Sequence, residues 1–374
     1  TDKFNYKISN QIKKIDKNLD IKLKEVSIIL NLLEFKLNLK TIGANLIYRE
    51  KVLEIENIRS DISLKSLISS KFSLTRIGIS TKSLNIKNLI SFVQLLKNDP
   101  KIFIAQRFIK KGYVIADIEI EFDDLGNIKN NYKINGLIKD VKINILNKYD
   151  LDQIDSIFEI QDESFKFNDL NFSLNNKTVF APQIIVSKKN KEYLVSGKIN
   201  NQKIVLNKED IKKFIDEDNI GIDVQTINFN SENDFKFKIN KNFKIKDLNV
   251  NSEINLINLN LKNTFEIKKV FPKVKENIIF ENHKIKIKYN IENFSVLGSG
   301  KTLIQDKFDN IEYKILKNKN EIEYYTILTI SKNLFKLGLL NFEKNGESDL
   351  KLNIKAKKKF KKDLIFEELS LKEQ

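Results

Sequence analysis

Strict period-two alternation constrains this chain more than any other feature, and it is clearest in residues 112–146, GYVIADIEIEFDDLGNIKNNYKINGLIKDVKINIL. Val114, Ala116, Ile118, Ile120 and Phe122 fall on one side of an extended strand; Asp117, Glu119 and Glu121 fall on the other. Asp123-Asp124-Leu125-Gly126-Asn127 has turn chemistry, with Gly126 free to take positive φ. The chain returns through Ile128, Tyr132, Ile134 and Ile138, separated by Lys129, Asn131, Lys133 and Asn135. Val141, Ile143 and Ile145 then predict a third strand. Each strand has one dry and one wet face, and short turns between them predict an antiparallel meander.

The same pattern fills most of the chain. Leu33, Phe35, Leu37 and Leu39 alternate with charged or amide residues, as do Leu53 and Ile55, and Phe72, Leu74, Ile77 and Ile79 continue the apolar series. Ile102, Ile104 and Phe108 read as strand, as do Phe165, Phe167, Phe172 and Leu174. Later strands are expected around Phe235–Ile239, Ile254–Leu261, Ile285–Ile291, Tyr325–Ile330, Phe335–Phe342 and Leu350–Ile354. Three short segments have helical spacing instead. Phe4, Ile8, Ile12, Ile15 and Leu19 form one amphipathic stripe. Residues 88–97 form the second, ended by Asn98-Asp99-Pro100. The third begins at Asn207, a capping residue followed by acidic Glu209 and Asp210. The expected organisation is an N-terminal amphipathic helix over 1–20 and a β-module over 21–110 with its helix near 88–97. A middle β-module over 111–206 follows, then a continuation over 207–374 that opens with a short helix.

Composition bounds the chemistry. The 374 residues contain no Cys, Met or Trp and one His, so thiolate catalysis, disulfides and Cys-ligated zinc are excluded. A chain that lacks even an initial Met reads as processed, or as part of something longer. The net charge of +16 is spread over alternating Lys positions and reads as solvated strand faces; no nucleic-acid surface is expected. Lys357–Lys359 with Lys361 and Lys362 is a dense basic block that suits a protected strand edge. No apolar run is long enough to span a bilayer.

No enzyme signature appears. His283 lies in a Lys-rich strand flank and reads as an exposed edge residue. Gly298-Ser299-Gly300-Lys301-Thr302 lacks the spacing of a phosphate loop and reads as a turn. Residues 216–227 begin like a calcium loop, but Ile220 and Ile227 stand where oxygen ligands are required. No catalytic residue, metal ligand or cofactor is expected, and the chain is not expected to be an enzyme.

The amount of dry face is the positive signal. A sandwich or a closed barrel would bury it, whereas a long sheet curled into an open groove would present it to something apolar. Acyl chains suit such a trough, at about 0.8 kcal/mol per buried methylene. The residues expected to line it are Phe35, Leu37, Leu39, Leu53, Ile55, Phe72, Leu74, Ile118, Ile120, Phe122, Ile134, Phe165, Phe167 and Phe172. The fold class is mainly β: a long antiparallel meander curled into an elongated open groove, with a few short helices.

Several of these stretches carry a family resemblance. IKLKEVSIIL, FKLNLKTIGANLIY, VLEIENIRSDISLKSLISSKFSLTRIGIS and SLNIKNLISFVQLL come first, followed by LGNIKNNYKINGLIKDVKINI, FEIQDESFKFNDLNFSL and EYLVSGKI. Over residues 1–200 the succession resembles the AsmA-like superfamily of Gram-negative envelope proteins (the AsmA, TamB and YhdP type), with Glu163-Ser164 where that pattern has glycine. The resemblance implies a repeating β-groove in the periplasm and an inner-membrane anchor that precedes this chain. It also implies bridge-like phospholipid transport toward the outer membrane, with acyl chains and envelope proteins as partners. A structural or assembly scaffold of the envelope, with a packed and lipid-free core, is the alternative reading of the same residues.

Overall fold

The computed structural model describes residues 6, 13, 17–69, 74–96, 100–129, 131–145, 149–190, 192–214, 223–240, 244–338, 341–359 and 363–373. It is mainly β, as the alternation predicts: 22 strands are described, 20 of them in antiparallel ladders of one main sheet type and two in a small hairpin. The chain divides into two compact units, Thr1–Asn190 and Lys191–Gln374.

In the first unit, β1 (Leu19–Lys22) and β2 (Glu25–Asn31) pair with successive halves of β3 (Lys36–Tyr48). The ladder continues through β4 (Lys51–Ser63) and β5 (Leu74–Thr81) to β7 (Ile109–Glu121), which also takes the two-residue β6 (Leu84–Asn85). It ends with β8 (Lys133–Ile145), β9 (Tyr149–Gln161), β10 (Ser164–Leu174) and β11 (Lys177–Lys189). Every pairing is antiparallel, and none joins β11 back to β1–β3 among the described residues, so this sheet is open.

The second unit runs in simple order. β12 (Glu192–Asn207), β13 (Asp223–Ile239), β14 (Ile245–Lys262), β15 (Asn277–Tyr289), β16 (Phe294–Leu303), β17 (Asp309–Lys317) and β18 (Glu321–Ile330) pair as neighbours. β21 (Leu350–Lys359) and β22 (Leu364–Glu373) complete the ladder, while β19 (Phe335–Leu337) and β20 (Phe342–Lys344) form the separate hairpin.

The strand expected from Val141 is the second half of β8. Asp140 has φ 51°, and the residues facing the same side step from Ile138 to Val141, a spacing of three. This is a β-bulge, which inserts one residue and bends the strand without changing which face is apolar. Gln153 (φ 53°) and Asp169 (φ 50°) repeat it in β9 and β10, and Lys203, Asp247 and Asn282 take similar values in the second unit. Pro182 lies inside β11, opposite Asp169, where the β10–β11 ladder skips a pair between Asn168–Gln183 and Leu170–Ala181 and a missing N–H is tolerated.

Helices differ from expectation in two places. Residues 102–108 belong to a helix, α3 (Pro100–Phe108), rather than a strand. Pro at the first helical position fits its fixed φ, and Ile102, Ala105 and Phe108 share the less exposed side at a spacing of three while Phe103 is exposed. A short α1 (Leu64–Ile68) follows β4, with the Ser63 hydroxyl accepting from the Ser66 N–H at 3.2 Å. The expected helix near 88–97 is α2 (Ile86–Leu96), capped by Asn85, whose Oδ1 accepts from Lys87 N–H at 3.0 Å. α4 (Lys208–Phe214) starts where Asn207 predicts, the Asn207 Oδ1 accepting from Asp210 N–H at 2.9 Å. The stripe over residues 3–17 lies almost wholly outside the described residues, and Leu19 at its end starts β1.

The accessible surface is 24397 Å². One compact chain of this mass would expose about 15,000 Å², and two compact halves about 18,500 Å².

Candidate functional site

The register brings twelve of the fourteen expected lining residues onto one face of the first unit. One row of Cα partners runs Thr41, Ile58, Ile79, Ile118, Ile134, Ile160, Phe165, Val186. At about 4.8 Å between neighbouring strands, eight strands carry this apolar line for about 34 Å. A parallel row includes Gly136, Phe158, Phe167 and Ile184. Gly136 is required there: a Cβ would meet the Ile115 carbonyl at 2.3 Å and the Phe158 ring at 2.6 Å.

Leu37, Leu39, Leu53, Ile55, Leu74, Ile120, Phe122 and Phe172 lie on this same face by register or strand parity. Phe35 is apart from them. It sits at φ 51° in the turn before β3 and is 65% exposed. Leu33, expected in the same strand, is in that turn too. Phe72 lies outside the described residues.

Two parts of the face are packed. α2 lies on one margin, where Phe92 meets the Tyr48 ring at 6.3 Å, and a cluster of Leu84, Ile86, Val114, Val141, Ile154 and Phe158 is buried near it. Ile21, Leu23, Ala44 and Ile55 form a second cluster. Ile118, Ile120 and Phe165 belong to neither and are half-buried.

The second unit has an equivalent face. Ile254, Ile285, Gly298, Tyr313, Thr326, Ile354 and Leu369 form one row, and Ser252, Ile287, Val296, Ile315, Tyr324, Ala356 and Phe366 the next. Towards β12 the rows turn polar at Asn201, Ser231, Asn233 and Ser252. There the Ser231 hydroxyl accepts from the Asn201 and Asn233 amides at 3.0 and 2.9 Å. Asn and Ser are so frequent in this chain that nothing in the sequence marked these four.

His283 is on this face and is 1% exposed, not an edge residue. Its Nε2 is 3.0 Å from the Lys301 carbonyl, and its ring lies against Phe280 and Tyr313. Gly298-Ser299-Gly300 is strand rather than turn, because the rings need the space. A Cβ on Gly300 would meet the His283 ring at 2.2 Å, and one on Gly298 would meet the Tyr313 ring at 2.2 Å. Burial pushes the Tyr313 hydroxyl up to about 12 and holds the His283 imidazole below its usual value.

That shift has a testable sign. Above the ordinary histidine value of 6.5 both folded and unfolded states are neutral. As pH falls below it, the unfolded chain takes up a proton that folded His283 refuses. Stability therefore falls towards acid, at most by about 1.4 kcal/mol per pH unit. Chemical denaturation between pH 7 and 5 is expected to show this slope, and His283→Gln is expected to flatten it.

One margin of the second face is sealed by the 263–276 segment and the β19–β20 hairpin, which bury Phe271, Leu328, Ile330, Phe335, Leu350 and Leu352. Buried polar groups tie this seal together. Lys344 is 4% exposed, and its Nζ donates to the carbonyls of Ser331, Asn333 and Asn345 at 2.9, 3.0 and 2.8 Å. Asp309 accepts from the Asn333 amide at 2.8 Å, and burial raises its carboxyl above the ordinary aspartate range.

Among the described residues no group of His, Asp and Glu could hold a metal ion, and no helix is long and apolar enough to cross a membrane. No protein-family model, curated protein or solved structure matches the chain.

Proposed function

We propose that the chain is a lipid-carrying β-groove protein whose apolar faces hold acyl tails while headgroups stay in solvent. The observation that carries this reading is the row from Thr41 to Val186: an apolar line across eight strands, with half-buried Ile118, Ile120 and Phe165 outside the packed clusters. A tail with ten methylenes would gain at most about 8 kcal/mol if they were fully buried here. The row lacks polar side chains beyond Thr41, so a tail would meet similar contacts as it moves along it. The resemblance to AsmA-like proteins supports the same role and suggests phospholipid traffic between inner and outer membranes, in the periplasm, with an anchor upstream of this chain.

The scaffold alternative draws on the packed margins, where α2 and the β19–β20 seal make lipid-free cores. The readings separate on uptake. Incubated with vesicles containing a fluorescent phospholipid and then separated from them, the protein should retain the label. Retention no greater than that of a lipid-free control protein would favour the scaffold.

A further inference from the structure

One corner of the second unit differs from the rest of its apolar face. The turns 290–293 and 318–320 stand beside each other and frame a cavity of about 670 Å³, within the range of about 300–1,000 Å³ usual for ligand pockets. Its wall is Tyr289, Phe294, Ile315, Ile322 and Tyr324. The Tyr289 and Phe294 rings meet edge to face, 6.4 Å apart.

The outermost row of that face is basic. Cα partners run Phe294, Lys317, Ile322, Lys358, so two lysines flank Ile322 on the same side as the apolar wall. Both lysines are exposed. Lys319 also lines the mouth, and its ammonium pairs with Glu292 at 2.7 Å, bridging the two turns. Among the described residues that line the cavity the charged ones are Glu292, Lys317 and Lys319, and Lys358 lies next to Ile322 on the same face. The two acids that precede Ile322 and Tyr324, Glu321 and Glu323, face Lys357 instead, at 2.9 and 3.9 Å.

We propose that this corner is a subsite for a single lipid with an anionic head, its tail on the aromatic and aliphatic wall and its head among Lys317, Lys319 and Lys358. The inference rests on the groove reading and adds to it a preference for lipid charge. An apolar wall alone would hold any tail. Lysines at its rim favour a negative head, and that attraction weakens as salt screens it.

The test compares vesicles of phosphatidylglycerol with vesicles of phosphatidylcholine, each carrying a trace of fluorescent lipid with the same head. Wild-type protein should retain several-fold more of the anionic lipid, and the excess should shrink between 0.05 and 0.5 M salt, a range over which the Debye length falls to about 4 Å. Lys317→Gln with Lys358→Gln should lower anionic retention about fivefold and leave phosphatidylcholine retention unchanged. Equal retention of both lipids by wild type, salt-independent preference, or an equal fall for both lipids in the variant would overturn the subsite while leaving the groove reading standing. Retention of neither lipid by wild type would overturn both.

Discussion

Ile120→Asp combined with Phe165→Asp is expected to abolish lipid retention while the protein keeps its β-sheet circular dichroism. Both residues project onto the apolar face, where one is Cα partner to Ile77 and the other to Ile160 and Val186. Both are half-buried and lie outside the three packed clusters. A carboxylate placed there stays within reach of water, so the folding cost is modest. A tail laid over it would have to desolvate the charge, which costs several kcal/mol and outweighs the contribution of a few methylenes. A lipid-free core predicts the opposite, a variant that fails to fold. Circular dichroism and lipid retention on the same sample separate these outcomes, and a folded variant with normal retention would remove this face from the carrying surface.

Lys344→Met is expected to destabilise the second unit by about 3–5 kcal/mol, because each buried carbonyl left without its donor costs about 1–3 kcal/mol. Methionine fills the stem of the lysine but cannot donate. Three backbone carbonyls would be left without their partner, and Asp309 would lose the ammonium that favours its charged form. The loops joined through Asn333 to Lys307 and through Gln305 to Leu334 depend on that arrangement. Thermal unfolding should fall by about 10 °C, taking about 2–4 °C per kcal/mol for a unit of this size. A change below about 2 °C would show that the seal does not depend on Lys344.

The two predictions draw on different levels of legibility. The face bearing Ile120 and Phe165 was readable from alternation alone, because one apolar side and one charged side admit few arrangements other than a sheet with a single dry face. The bulges were not readable. At Asp140 the step from Ile138 to Val141 resembles a turn between strands, and only the left-handed backbone of Asp140 keeps both residues on one side. Ile102 and Ile104 alternate like a strand, yet Pro100 starts a helix there, and tertiary packing overrides a short local pattern. His283 and the Gly298–Gly300 pair depart from the sequence expectation for one shared reason. Each glycine is the gap into which a ring from a neighbouring strand fits, and that relation exists only across the ladder. Lys344 and Asp309 are similar: a charged residue reads as solvated until its loops are seen to close over it.

The most direct test is native mass spectrometry of the purified chain, with extraction and identification of whatever lipid comes with it. The groove account predicts co-purifying phospholipid on the wild-type protein and its loss from the Ile120→Asp, Phe165→Asp variant. A wild-type chain that is folded, lipid-free and unable to take up lipid from vesicles would contradict it and leave the scaffold as the better reading.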